Sequence, residues 1–243
     1  MKALVFAAGR GERMRPLTDA APKPLLRAGG KPLIGWHLER LAAIGVRDVV
    51  VNTSWLADRF PETLGDGAQW GLRIRYAFEG DAPLETGGGM RNALPLLDGD
   101  APFLLVNGDV WTDCDFGALP RDPAGLAHLV LVDPPAHAAR GDFALDDRGL
   151  VREDGPQRLT YSGIGVYRPQ LLDGWRDIAG DFGTSDGHPV FRLAPILRAR
   201  MAEGAITGEH HRGRWTDVGT PERLAQLDAE LAAADVPARD AGG

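Results

Sequence analysis

Continuous apolar runs alternate along the chain with segments of helical periodicity, and this alternation constrains the fold most. The runs predict strands at residues 3–7, 49–51, 72–78, 103–106, 126–132 and 164–167. Runs that are apolar throughout are typical of strands buried on both faces of a largely parallel sheet. Helical spacing is present in two sets, Ile34, Leu38 and Leu41, and Leu224, Leu227 and Leu231. The pattern therefore predicts a layered α/β fold with crossover helices.

The chain has 243 residues, with no internal repeat and no linker long enough to divide it. We expect one domain over residues 1–231 and a fraying tail at 232–243. The single cysteine, Cys114, cannot form an internal disulfide, no apolar stretch reaches about 18 residues, and no cleavable leader precedes the first run. These features predict a cytoplasmic protein without a membrane partner. A net charge of −7 argues against nucleic-acid binding.

The segment after the first strand combines glycines with positive charge. Positions 6–18 read FAAGRGERMRPLT and positions 22–25 read PKPL. Gly9 and Gly11 allow backbone N–H groups to face a polyanion, and Lys23 lies between two prolines. Three arginines add charge, namely Arg10, Arg13 and Arg15. The segment lacks a Walker A sequence and carries Met14 at the third glycine of the dinucleotide pattern, so a solvated basic loop stays an alternative.

This run, together with PKPL, resembles the signature of the sugar-phosphate nucleotidyltransferases, the NDP-sugar pyrophosphorylases. The resemblance implies the nucleotidyltransferase fold, a single-domain, Rossmann-like three-layer sandwich with a mostly parallel, mixed central sheet. It also implies that the loop wraps a nucleoside triphosphate, with Arg13 and Lys23 as catalytic groups on the phosphates. The nucleotide-binding residues implied for the loop are Ala7, Ala8, Gly9, Gly11, Arg13 and Lys23.

Two aspartates follow predicted strands, Asp109 in VNGD and Asp217 in WTDVGT. Ligands of open α/β sheets bind beyond the carboxyl ends of strands, and Mg²⁺ is commonly held by few carboxylates with phosphate oxygens. An aspartate after a glycine is more often a turn or helix-cap residue. The resemblance implies that Asp109 and Asp217 hold Mg²⁺, that Asp109 is catalytic, and that Asn107 and Asp109 contact the nucleotide. Adjacent His210 and His211 point to opposite faces of a strand and predict no zinc site.

The sequence PLETGGG at 83–89 precedes a helix predicted at 90–97. Three glycines leave room for a flat base against bare backbone, and a flexible hinge is the alternative. The resemblance places Glu79, Gly87 and Gly88 beside the nucleobase.

For the sugar phosphate, the resemblance implies Gly141, Asp142, Ser162 and Gly163. Many relatives carry Glu-Lys-Pro between these segments, whereas this chain reads EDGP at 153–156 and has only three lysines in all. The candidate substitutes are Arg140, Arg152 and Arg158. An apparent insertion covers residues 173–189.

Five segments narrow the resemblance within the family: PLETGGG, FLLVNGDVWTD, RGDF, YSGI and GEHHRGRWTDVGT. They are similar, over residues 1–231, to the bacterial branch that transfers UMP from UTP to N-acetylmuramate 1-phosphate in peptidoglycan recycling. One alternative is another sugar 1-phosphate (mannose, glucose or heptose) with GTP or dTTP. Another is a non-catalytic nucleotide-sugar-binding regulatory protein, in which the charged residues of the site would be lost. No C-terminal acyltransferase β-helix is expected.

Overall fold

The computed structural model describes residues 1–97 and 99–234. The strands are β1 Lys2–Phe6, β2 Arg27–Ala28, β3 Lys31–Pro32, β4 Asp48–Thr53, β5 Arg73–Phe78, β6 Phe103–Asn107, β7 Val110–Thr112, β8 Ala127–Val132, β9 Phe143–Leu145, β10 Val151–Arg152, β11 Arg158–Tyr167, β12 Gly183–Ser185, β13 His188–Val190, β14 Ile206–His210 and β15 Trp215–Asp217. The α-helices are α1 Leu17–Ala20, α2 Leu33–Ala43, α3 Arg59–Leu64, α4 Glu85–Ala93, α5 Trp175–Ala179, α6 Leu193–Ala202 and α7 Pro221–Ala234.

The described residues form one nine-stranded sheet in the order β10-β9-β11-β6-β1-β4-β5, with β8 beside β11 and β14 beside β8. Strands β6, β1, β4 and β5 run parallel, as do β8 and β14. Strand β11 is antiparallel to its neighbours β6, β8 and β9. The central sheet is therefore mixed and mostly parallel, which confirms the predicted fold class.

Apolar side chains cover both faces of this sheet. Leu4 of β1 belongs to a core that includes residues of α4 and α6, whereas Ala3 and Val5 belong to a core that includes residues of α2 and α3. All three of these strand residues are fully buried. The continuous apolar runs therefore mark strands covered on both sides, and the domain has three layers.

Helix α7 and two short ribbons, β7–β15 and β2–β3, lie outside the central sheet. The β7–β15 ribbon pairs Val110 with Asp217, so the chain after β6 lies beside the chain before α7. Helix α7 packs against β2 through a third apolar cluster that contains Leu227 and Leu231. This helix includes residues 232–234, the start of the expected tail, and residues 235–243 lie outside the described residues. Among the described helices, none combines the length and apolar composition that a membrane span requires.

Candidate active site

A cavity of about 560 Å³ opens at the carboxyl ends of β1, β4 and β6. The loop after β1 forms one wall, and the segments after β5 and β6 form others. It brings together most of the predicted nucleotide and catalytic residues, namely Ala7, Ala8, Gly9, Gly11, Arg13, Lys23, Glu79, Asn107 and Asp109. This is the position at which open α/β sheets bind ligands.

The loop after β1 folds back tightly onto itself. Gly11 has a φ of 64°, and a Cβ there would lie 2.9 Å from the Thr18 methyl and 3.2 Å from the Lys23 Cβ. The Thr18 hydroxyl donates to the Gly11 carbonyl at 2.9 Å. A side chain at this position would be both strained and crowded, so the turn depends on glycine.

The arginines of this loop divide into two groups. Arg10 and Arg13 line the cavity, and Arg13 has no hydrogen-bond or ion-pair partner among the described residues. Arg10 lies over the Trp55 ring and donates to the Asp81 carbonyl. Arg15 instead pairs with Asp19 at 3.2 Å on the surface and does not line the cavity. Arg13 is therefore the cation free to meet an incoming anion.

Lys23 is the buried cation of the cavity, only 9% exposed. It begins a 3-10 turn, Lys23–Leu25, and its Nζ lies 2.5 Å from Asp109 Oδ2. The backbone behind Asp109 is fixed, because the Gly108 N–H donates to the Phe6 carbonyl at 2.8 Å. The pair thus places an ammonium and a carboxylate side by side within the cavity wall, where both can meet phosphates and a metal ion.

Asn52, at the end of β4, belongs to the site but was missed by the sequence analysis. Its Oδ1 accepts from the Ala7 N–H at 2.6 Å, and its Nδ2 donates to Glu79 Oε1 at 2.5 Å. Glu79 Oε2 accepts from the Leu84 N–H at 2.8 Å. Burial raises the pKa of the Glu79 carboxyl, against the two hydrogen bonds that lower it. The signal available in the sequence was a polar residue ending an apolar run at the same edge as Asp109.

The three glycines lie inside α4, which begins at Glu85 rather than at the predicted residue 90 and ends at Ala93. Gly87 and Gly88 do not line the cavity. A Cβ on Gly87 would lie 2.5 Å from the Phe191 ring, and one on Gly88 would lie 2.5 Å from the Pro189 carbonyl. The carbonyl of Phe191 accepts from both glycine N–H groups. The space next to Gly87 and Gly88, which we expected to receive a base, is thus occupied by Phe191 and Pro189. Base contact by Gly87 and Gly88 stays a prediction.

The second aspartate has a different neighbourhood from the first. The Val218 N–H donates to the Asp109 carbonyl at 3.0 Å, so the two aspartate-bearing segments are adjacent. Asp217 lines a separate cavity of about 480 Å³, and its Oδ1 lies 2.6 Å from Arg223 Nη1 and 3.2 Å from His137 Nε2.

Asp109 and Asp217 are carboxylates of the kind that Mg²⁺ prefers, but they line different cavities, so their joint binding of one ion stays a prediction. Two carboxylates, Asp109 and Asp217, lie on hydrogen-bonded neighbouring segments, and Mg²⁺ commonly takes one or two protein carboxylates with substrate phosphates. Within the described residues, no group of three or more His, Cys, Asp or Glu side chains forms a metal site. His210 lies 3.0 Å from Asp133 and His211 lies 2.9 Å from Asp113, each in a separate pair.

His37 supports the Asp109 segment from behind. It lies in α2, is fully buried and contacts the Val110 carbonyl through Nε2 at 2.8 Å. Burial lowers its pKa to about 4, although the bond to Val110 acts in the opposite direction. A neutral imidazole that donates from Nε2 therefore links α2 to the residue after Asp109.

None of the residues predicted to hold the sugar phosphate lines the main cavity. Ser162 is buried, and its hydroxyl donates to the Val130 carbonyl and accepts from the Ile164 N–H within an irregular stretch of β11. Gly163, with a φ of 79°, packs against the Asn107 side chain. Gly141 forms a turn with a φ of 66°, and Asp142 accepts from the Tyr161 N–H. The Ser162 hydroxyl therefore has a structural role within the sheet. Sugar binding by the four residues stays a prediction.

The candidate substitutes for the missing lysine differ in their contacts. Arg152 pairs with Asp146 at 3.0 Å, and Arg158 pairs with Asp154. Arg140 is exposed and has no partner among the described residues.

The 173–189 insertion includes α5 and the β12–β13 hairpin, which packs against α4. The Cys114 thiol is buried, and burial raises its pKa to about 11.

Comparison with known proteins decides the family. A profile of the nucleotidyl transferase family matches residues 2–139. The chain belongs to this family. It is 48% identical over 94% of its length to the N-acetylmuramate alpha-1-phosphate uridylyltransferase of Neisseria meningitidis, covering 97% of that protein. The enzyme of the same name from Caulobacter vibrioides is 34% identical over 96% of the chain and 97% of that protein.

The fold comparison agrees with this assignment. A solved structure from Bacillus anthracis, described as a glucose-1-phosphate thymidylyltransferase, superposes with a TM-score of 0.79 at 20% identity, covering 99% of this chain and 98% of that one. The family profile and the two relatives confirm the family inferred from the sequence, and the superposition confirms the fold. This nucleotidyltransferase is an enzyme.

Proposed function

We propose that this nucleotidyltransferase transfers UMP from UTP to N-acetylmuramate 1-phosphate and releases UDP-N-acetylmuramate and pyrophosphate. The observation that carries the proposal is the juxtaposition of Arg13, Lys23 and Asp109 in one cavity beside the glycine loop. The choice of substrates is supported by the 48% identity to the Neisseria enzyme along nearly the whole of both chains. We place the reaction in the cytoplasm, the compartment that supplies UTP.

The chemistry needs alignment and charge neutralisation more than it needs a base. An oxygen of the sugar phosphate attacks the α-phosphorus of UTP, a new P–O bond forms, and the α–β bond breaks as pyrophosphate leaves. The attacking oxygen is already anionic, so no side chain has to remove a proton from it. The Lys23 ammonium, held beside Asp109, neutralises the reacting phosphates, and Arg13 binds the leaving pyrophosphate.

A magnesium ion is the expected cofactor, held by Asp109 and Asp217. When bound, it neutralises phosphate charge and orients the oxygens that it contacts. The chain's own contribution is to hold these two carboxylates on adjacent segments, joined by the hydrogen bond from Val218 to the Asp109 carbonyl.

A substrate panel tests the proposal. UTP, GTP, dTTP and ATP are each offered with N-acetylmuramate, mannose, glucose and heptose 1-phosphates, and pyrophosphate release is measured. We expect the highest kcat/KM for UTP with N-acetylmuramate 1-phosphate, and loss of turnover in Asp109→Ala. Preference for another pair would replace the proposed substrates, and absence of pyrophosphate from every pair would favour a regulatory binding protein.

A further inference from the structure

Asp217 already has a cationic partner in the protein. Arg223 Nη1 lies 2.6 Å from Asp217 Oδ1, and the two side chains are 19% and 27% exposed. His137 Nε2 approaches the same oxygen at 3.2 Å and the same guanidinium nitrogen at 2.7 Å. One carboxylate oxygen therefore carries two nitrogen neighbours on one side of the second cavity.

The absence of a side chain at Gly219 leaves the space that the Arg223 guanidinium occupies. A Cβ on Gly219 would collide with Arg223 Nη2 and would lie 3.1 Å from Asp217 Oδ2. Gly219 itself belongs to the wall of the main cavity, whereas Asp217 and Arg223 line the second cavity. The Arg223 guanidinium thus occupies the space next to Gly219. The backbone at Gly219 connects Asp217 with the wall of the main cavity.

We propose that Arg223 neutralises Asp217 in the free enzyme, and that a divalent metal ion displaces the Arg223 guanidinium when it binds Asp217. The proposal rests on the proposed function in one respect, that Asp217 is a metal ligand. Arg223 is then a positioning residue: it neutralises and orients Asp217 before the metal ion arrives, and metal binding releases its guanidinium.

The competition follows from charge and hydrogen bonding. The guanidinium donates to Asp217 Oδ1 through Nη1, and a metal ion that binds Oδ1 needs the same lone pairs, so each lowers the affinity of the other. The guanidinium also places a positive charge next to the incoming cation. Both effects weaken metal binding to the free enzyme, and both disappear when the guanidinium is removed.

The test is Mn²⁺ binding to the full-length protein without nucleotide, followed by electron paramagnetic resonance of the unbound ion. We expect Arg223→Gln to bind Mn²⁺ about tenfold more tightly than the wild type, as removal of one charge-assisted hydrogen bond predicts. The matched control is Arg214→Gln, because Arg214 lines the same cavity but pairs with Glu230 at 2.7 Å. This control should change the affinity by less than about twofold.

Loss of folding cannot produce the expected result, since a damaged site binds metal more weakly. Equal or weaker Mn²⁺ binding by Arg223→Gln, or equal tightening by Arg214→Gln, overturns the proposal. The double variant Asp217→Asn/Arg223→Gln should lose the gain, and retention of the gain also overturns it. Pyrophosphate release by the wild type, measured in parallel, shows whether the proposed function stands independently.

Discussion

Lys23 is the residue whose removal tests the phosphate site most directly. It is buried in the cavity wall and bonded to Asp109, so its charge is held in place before substrate arrives. Removal of a preorganised cation removes electrostatic stabilisation of the phosphates in the transition state. We therefore expect Lys23→Ala to lower kcat/KM about 100-fold. Steady-state kinetics measure this loss.

Lys31 provides the matched control for that substitution. It pairs with Glu39 at 2.6 Å, lies outside the cavity and is another of the chain's three lysines. Lys31→Ala should change kcat/KM by less than about twofold, since surface ion pairs contribute little. A loss under threefold in Lys23→Ala would remove Lys23 from the catalytic role.

At the scale of secondary-structure elements, α2 and the ribbon after β6 meet through His37. Its pKa is about 4 in the folded protein and about 6.5 when unfolded, so the unfolded chain binds the proton more readily. The free energy of unfolding should therefore fall as the pH falls, by about 2 kcal/mol between about pH 7 and about pH 5. Urea unfolding of the wild type and of His37→Gln measures it: the variant should lose this part of the pH dependence. The exposed His188, replaced by Gln, should retain it, and equal slopes in all three proteins would contradict the prediction.

Elements defined by continuous apolar runs could be predicted from the sequence, and contacts across the fold could not. The strands around Leu4, Val50 and Leu105 were predicted correctly, because a continuous apolar run in the local sequence is enough to indicate a buried strand. The start of α4 was wrong because glycine has a poor helix propensity, and only the packing of Phe191 and Pro189 explains glycines there. The Asn52–Glu79 bond joins residues 27 positions apart, and its geometry depends on the register of β4 with β5.

At the scale of the whole molecule, a net charge of −7 is compatible with two anionic substrates because individual cations line the cavity. Arg10, Arg13 and Lys23 line one cavity, whereas Arg15 pairs on the surface. The same cavity is also lined by Glu12, Glu79, Glu85 and Asp109, so its cations act through their positions and not through a net positive charge of the cleft. The cavity, rather than the composition, therefore determines which ligand the enzyme binds.

A ligand that binds this cavity only in the folded state should stabilise the whole domain. At about one hundred times its Kd, UTP with Mg²⁺ would add about 2.7 kcal/mol, which corresponds to about 5–10 °C in Tm for a domain of this size. We expect GTP to produce a smaller shift, because UTP is the nucleotide substrate proposed above. Differential scanning fluorimetry at equal nucleotide concentrations measures both shifts, and Lys23→Ala should reduce the UTP shift. A GTP shift equal to that of UTP would contradict the proposed base preference while leaving the phosphate site in place.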